Sequence, residues 1–203
     1  MRNRALAGPM DRRAGDARSS RRCFLTGSVT AVVAAALGVP AAGAAPLPSA
    51  TVLIEEFWDD GSSKYASQVP RIVRTDTQWR ALLSPLAFEV MRRGATEPAY
   101  SGAYLHNRRQ GVYRCIGCGT ALFSSRDKYD ARRGWPSFRR AISRYNVAES
   151  LGDDTRARTD RLAVACRRCA GHLGTVSADG PAPSVLRYSI DSVALRFAAS
   201  SRY

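Results

Sequence analysis

Two pairs of cysteines, Cys115-Ile116-Gly117-Cys118 and Cys166-Arg167-Arg168-Cys169, share C-x-x-C spacing and are separated by 47 residues. The two-residue gap lets both sulfurs of a pair face one ion while the backbone turns. Two such pairs supply the four thiolates of a closed tetrahedral zinc site. A closed site leaves no position open for water, so this metal would tie distant stretches of chain together and add to folding free energy. Two disulfides are the competing reading in an oxidising compartment. A zinc ribbon on nucleic acid is a third. Ribbons usually hold their pairs closer, and the arginines here are not interleaved with aromatics as a single-strand stacking platform requires. No nucleic-acid partner is therefore expected.

The fifth cysteine, Cys23, belongs to an N-terminal segment of different character. The 203-residue chain carries a formal charge of +14, and residues 1–44 contribute seven arginines against Asp11 and Asp16. Arginines crowd positions 2–22, Val29 to Val39 is apolar, and Ala42-Gly43-Ala44 has the small-residue spacing of a cleavage site. Basic, apolar and small regions in that order describe a secretory signal, with Ala45 as first mature residue. Ser20-Arg21-Arg22-Cys23-Phe24-Leu25 resembles the twin-arginine signal. An uncleaved anchor is the alternative, although the apolar run is short for a span. The expectation is an extracytoplasmic bacterial protein, periplasmic or secreted, without a stable membrane span after cleavage. Export of an already folded chain also weakens the disulfide reading, and all four mature thiols then fall to the metal.

Three segments follow: the signal at 1–44, a linker and N-terminal β extension at 45–68, and a zinc-binding domain at 69–203. Thr51 to Phe57 reads as a strand, with Asp60-Gly61 turning into a second extended stretch near Gln68–Val73. Thr75 to Gln78 has capping-box spacing before Trp79, Leu82 and Leu83. Ser84-Pro85 starts a second helix, with Leu86, Val90 and Met91 as its buried stripe and Gly94 as its end. Beyond Gly111 come short β-forming runs, Val112–Arg114, Leu162–Ala165 and Val185–Ile190, separated by glycine-containing turns. The expected fold is mainly β behind two short helices. No nucleotide-binding glycine loop occurs, because the glycines near 117, 119 and 134 lack a strand-to-helix setting.

The stretches "GATEPAYSGAY" (94–104), "GVYRCIGCGTALFSS" (111–125), "KYDARRGWPSF" (128–138), "CRRCAGHLGTV" (166–176), "DGP" (179–181) and "RYSIDSVALRF" (187–197) closely resemble the SelR domain of MsrB-type peptide-methionine (R)-S-oxide reductases. The resemblance implies two antiparallel sheets, with structural Zn2+ on Cys115, Cys118, Cys166 and Cys169 away from the active site. It also implies a cysteine thiolate that attacks the sulfoxide sulfur of protein-bound methionine sulfoxide and becomes a sulfenic acid. By that resemblance Trp135 packs the sulfoxide methyl, His172 and a second histidine serve the oxygen, and Arg187 favours the thiolate.

The chain departs from this pattern at the reacting centre. Ser189 stands at the nucleophile position, Asp191 at the usual asparagine, Thr175 at the second histidine and Ser177 at a common phenylalanine. Arg133 stands where some relatives carry a resolving cysteine. A hydroxyl is a far weaker acid than a thiol and cannot pass through a sulfenic acid. The expected function is that of a degenerate, exported binding protein that retains a pocket for methionine or methionine sulfoxide; the alternative is a working reductase of unusual chemistry. Residue-level alternatives are Trp135 as a core aromatic, His172 as a turn residue, Asp191 as an ion pair with Arg187, and the arginines at 132–133 and 139–140 as solvated surface.

Overall fold

The computed structural model describes residues 50–150 and 161–201, all within the compact unit Pro46–Tyr203. The expected export signal lies outside the described residues. Two strands, β1 (Thr51–Phe57) and β2 (Ser63–Pro70), form an antiparallel hairpin. Its second strand starts earlier than the sequence suggested, because Trp58 and Ser62 close the turn through a backbone hydrogen bond. Val52, Ile54 and Phe57 face inward from β1, whereas β2 is largely exposed.

Helix α1 (Asp76–Leu82) opens on the expected reciprocal cap between Thr75 and Gln78. Helix α2 (Pro85–Arg93) starts at Ser84, whose hydroxyl accepts from the Ala87 N–H, and ends on left-handed Gly94. The buried faces differ from the expected stripe. Trp79 and Leu83 are buried but Leu82 is exposed, and α2 buries Ala87, Phe88, Val90 and Met91 while Leu86 stays exposed. The buried face of α2 thus begins at Ala87.

The remaining strands are β3 (Gly111–Cys115), β4 (Ala121–Ser124), β5 (Lys128–Tyr129), β6 (Ser137–Phe138), β7 (Val147–Ser150), β8 (Arg161–Cys166), β9 (His172–Ser177), β10 (Arg187–Ile190) and β11 (Leu195–Ala199). They build one sheet in the order β5-β6-β10-β9-β8-β7 and another in the order β11-β3-β4, antiparallel throughout. The two expected sheets are present, with the N-terminal hairpin beside them. Strand β10 begins only at Arg187, because Val185 has φ 51° and its carbonyl accepts from the Gly180 N–H.

Aromatic rings fill the core. Phe123 and Phe138 stack with centroids 4.5 Å apart, and Tyr113 meets Phe138 edge-on at 5.1 Å. Such pairs add about 0.5–1.5 kcal/mol beyond area burial. Among the described residues no helix is long and apolar enough to cross a membrane.

Candidate active site and zinc centre

Each cysteine pair sits where a strand ends in a tight turn. Cys115 closes β3, and Gly119 donates back to its carbonyl at 2.8 Å; Cys166 closes β8, and Ala170 does the same at 2.8 Å. Gly119 (φ 76°) and Ala170 (φ 54°), each following the second cysteine of its pair, are both left-handed. The two knuckles bring all four sulfurs within 4.8 Å of one another, with Cys115–Cys169 at 3.6 Å and Cys118–Cys166 at 3.5 Å.

Those separations are far beyond the roughly 2.05 Å of a disulfide. They lie close to the edge of about 3.8 Å that a tetrahedron of 2.3 Å zinc–sulfur bonds requires. The disulfide reading therefore gives way to structural zinc. The crowded thiols also call for a cation. Hydrogen bonding from Cys115 and the other two sulfurs drives Cys118 far below the usual thiol range, while hydrogen bonding with Cys118 and its neighbours, then burial, push Cys115 up. Because β3 and β8 belong to different sheets, the ion joins them. Helices α1 and α2 cover the site, with Met91 and Trp79 packed at Gly117 and Met91 at Gly171.

A cavity of about 400 Å³ opens on the six-stranded sheet, with Trp135, Thr175, Arg187, Ser189 and Asp191 among its walls. None of the four cysteines lines it. Ser189 and Thr175 are direct cross-strand partners on β10 and β9, so their side chains share a face. Gly174 is obligatory here: its φ is 146°, and a Cβ would lie 2.1 Å from the Ser189 carbonyl oxygen.

Arg187 is buried and donates from Nη1 to Ser189 Oγ at 2.5 Å. Its other edge is held by Asp179, with Nε to Oδ1 at 2.9 Å and Nη2 to Oδ2 at 2.6 Å. The expected Arg187–Asp191 ion pair is thus replaced by Arg187–Asp179. The guanidinium beside Asp179 holds that carboxyl below the usual range.

Asp191 instead accepts the Glu97 backbone N–H at 2.8 Å, while the Glu97 carbonyl accepts from Trp135 Nε1 at 3.1 Å. The buried Glu97 carboxylate accepts from the N–H groups of Ser192 and Val193, which open a 3₁₀ turn. Glu97 therefore fixes both Trp135 and the residues following Asp191. Trp135 itself is half-buried in the cavity wall and not a core ring.

His172 begins β9 opposite Ala165 and does not line the cavity. A register shift between Val164 and Ala165 separates its pairing from that of Thr175. Burial lowers its pKa, which favours the neutral imidazole. In the arginine runs Arg132, Arg133 and Arg140 are exposed as expected, Arg133 also lining the cavity and Arg140 pairing with Asp127 at 2.8 Å, while Arg139 is half-buried and stacks over Tyr129. Sequence reasoning missed Glu97, Asp179 and Arg161. The available signal for Glu97 and Asp179 was an isolated acid inside a family-like stretch; Arg161 offered none.

Burial, with a smaller contribution from the Glu97 carboxylate, pushes the Asp191 carboxyl up to about 7, against the opposing hydrogen bond from the Glu97 N–H. The other charged groups around it are Arg187, Arg133 and Arg161. Its unfolded pKa is about 3.9. Folding therefore takes up a proton between these values, and the resulting penalty grows as pH rises through that window and is full above it. Asp191→Asn is expected to change little at pH 4 and to stabilise the protein by a few kcal/mol at pH 8, since each tenfold change in proton affinity is worth about 1.4 kcal/mol. Urea unfolding at both pH values checks this; equal effects at both would contradict it.

The SelR domain family matches residues 83–199. The chain is 44% identical over 126 residues to a peptide methionine sulfoxide reductase MsrB of Bradyrhizobium diazoefficiens, covering 62% of this chain and 89% of that protein. It is 45% identical over 124 residues to its counterpart in Thiobacillus denitrificans, covering 61% and 92%. A Methanosarcina barkeri protein of the same name is 42% identical over 126 residues, covering 62% and 87%. This mainly β, zinc-tied fold with an open pocket on its larger sheet is that of the SelR domain. The chain belongs to that family.

Proposed function

We propose that this chain is an exported, zinc-stabilised SelR-domain protein that binds a methionine-like side chain in other proteins without reducing it. The observation carrying this is the occupant of the pocket: Ser189 under Arg187, with no thiol among the described residues of the wall. Sulfoxide reduction needs an atom that attacks sulfur and then holds the oxygen as a sulfenic acid. A serine oxygen cannot be oxidised that way, and Cys115, Cys118, Cys166 and Cys169 are committed to the metal. Trp135 can take an alkyl stem, while Arg187 and the hydroxyls of Thr175 and Ser189 can take a polar head. Asp191, its carboxyl pushed up to about 7, would hold its proton below that pH and there present a donor.

Purified mature protein, given a protein-bound R-sulfoxide and excess dithiol, is expected to accumulate no methionine. Turnover that survives Ser189→Ala but stops with Trp135→Ala would overturn the proposal. The names of the relatives favour a second reading, a working reductase, and the same assay decides between the two. Export is supported by the basic, apolar and small-residue order of residues 2–44. Mass spectrometry of the protein from a bacterial host is expected to find Ala45 as the first residue, and a retained Met1 would contradict cleavage.

A further inference from the structure

Cross-strand partners on a sheet point to the same face. Arg161 on β8 and Arg187 on β10 both stand opposite Ser177 on β9, and Ala163, Thr175 and Ser189 form the adjacent row. The sheet thus sets two guanidiniums on either side of one hydroxyl, with two more hydroxyls beside them. Ser177 Oγ is buried and has no hydrogen-bond partner among the described residues. Arg133, from the loop before Trp135, adds a third guanidinium to the same cavity, and Thr96 adds a further hydroxyl.

A sulfoxide is neutral and offers one oxygen, which a single arginine can satisfy. Among the described residues three guanidiniums line the cavity against one carboxylate, Asp191. Asp179 pairs with Arg187 from outside that lining, with Arg133 a weaker charge neighbour, and the Glu97 carboxylate is buried on the Ser192 and Val193 N–H groups. Planar guanidiniums with several hydroxyl donors match the multiple oxygens of an oxoanion. Trp135 supplies an apolar wall for a short stem.

We propose that the pocket of Arg133, Arg161, Arg187, Thr175 and Ser189 selects a singly charged oxoanion on a short aliphatic stem, an alkylsulfonate in kind, over the neutral sulfoxide. This rests on the reading that the pocket binds without reducing. It names the head group that the altered site prefers.

Two ligands of nearly equal shape test it: N-acetyl-homocysteate methylamide, which ends in a sulfonate, and N-acetyl-methionine sulfoxide methylamide. Titration calorimetry at low ionic strength is expected to give about tenfold tighter binding of the sulfonate, the scale of one charge-assisted hydrogen bond. Arg133 and Arg161 are exposed, so Arg133→Gln and Arg161→Gln are expected to fold normally. Each is expected to weaken sulfonate binding by about tenfold and sulfoxide binding by far less. Equal affinity for the two ligands, or equal losses for both in these variants, would overturn the proposal. Reduction of the sulfoxide ligand by wild type with dithiol would instead sink the non-reducing reading, and the two failures are read from separate signals.

Discussion

Cys166→Ser is expected to leave the domain without a cooperative folded state at room temperature. Cys166 is fully buried at the end of β8, and its Sγ lies 3.5 Å from Cys118 Sγ of the other knuckle. Losing that ligand opens the metal tie between the six-stranded and three-stranded sheets. It also leaves three crowded thiols in a buried space. Structural zinc contributes about 10–16 kcal/mol in small zinc domains, which matches or exceeds the roughly 5–15 kcal/mol of net stability a domain possesses. Bound zinc is expected to fall from one per chain to none, with loss of the near-ultraviolet circular dichroism signal. A strong chelator should reproduce this in the wild type. A Cys166→Ser protein that melts at the wild-type temperature would show that the metal is not what joins the sheets.

The second large effect runs the other way. Ser189→Cys is expected to give a slow methionine-R-sulfoxide reductase where the wild type is proposed to reduce nothing. The new thiol would lie under Arg187, whose Nη1 already contacts the Ser189 oxygen at 2.5 Å. A neighbouring cation favours thiolate over thiol, and the polarisable sulfur can carry the oxygen as a sulfenic acid for an external dithiol to remove. Thr175, directly opposite Ser189, cannot donate as a histidine does. The rate should therefore stay about 10²–10⁴-fold below what positioned acid–base groups allow. Adding Thr175→His should recover part of that factor. A folded Ser189→Cys protein whose new thiol alkylates readily yet reduces nothing would show that the pocket, and not one missing atom, has lost the chemistry.

The parts of this molecule legible in the sequence are those set by local chemistry. The Thr75 and Ser84 caps, the Gly94 stop and the two C-x-x-C turns each follow from a few adjacent residues, and each is where the spacing put it. Parts set by pairing between strands were not legible. Arg187 has two acids nearby in sequence, Asp179 and Asp191. The choice between them depends on how the turn through Val185 presents β10 and on the depth at which Asp191 is buried. Arg161 joins the pocket only because β8 and β10 flank β9 in register, which no local pattern encodes. His172, adjacent to a recognisable motif, was an attractive pocket residue, but the register shift at Val164 and Ala165 separates its pairing from that of Thr175. The helix stripe erred by the same logic: Leu82 and Leu86 have apolar side chains at sensible spacing, yet both lie exposed, with no layer packed over them among the described residues.

Whether any atom of this pocket can accept the sulfoxide oxygen is decided by a single turnover without reductant. Wild-type protein beginning at Ala45 is mixed with excess protein-bound R-sulfoxide, and methionine formed per chain is counted. With serine at 189 and Cys115, Cys118, Cys166 and Cys169 on zinc, none is expected above the blank, and no sulfenic acid on these cysteines. One equivalent of methionine per chain would contradict this.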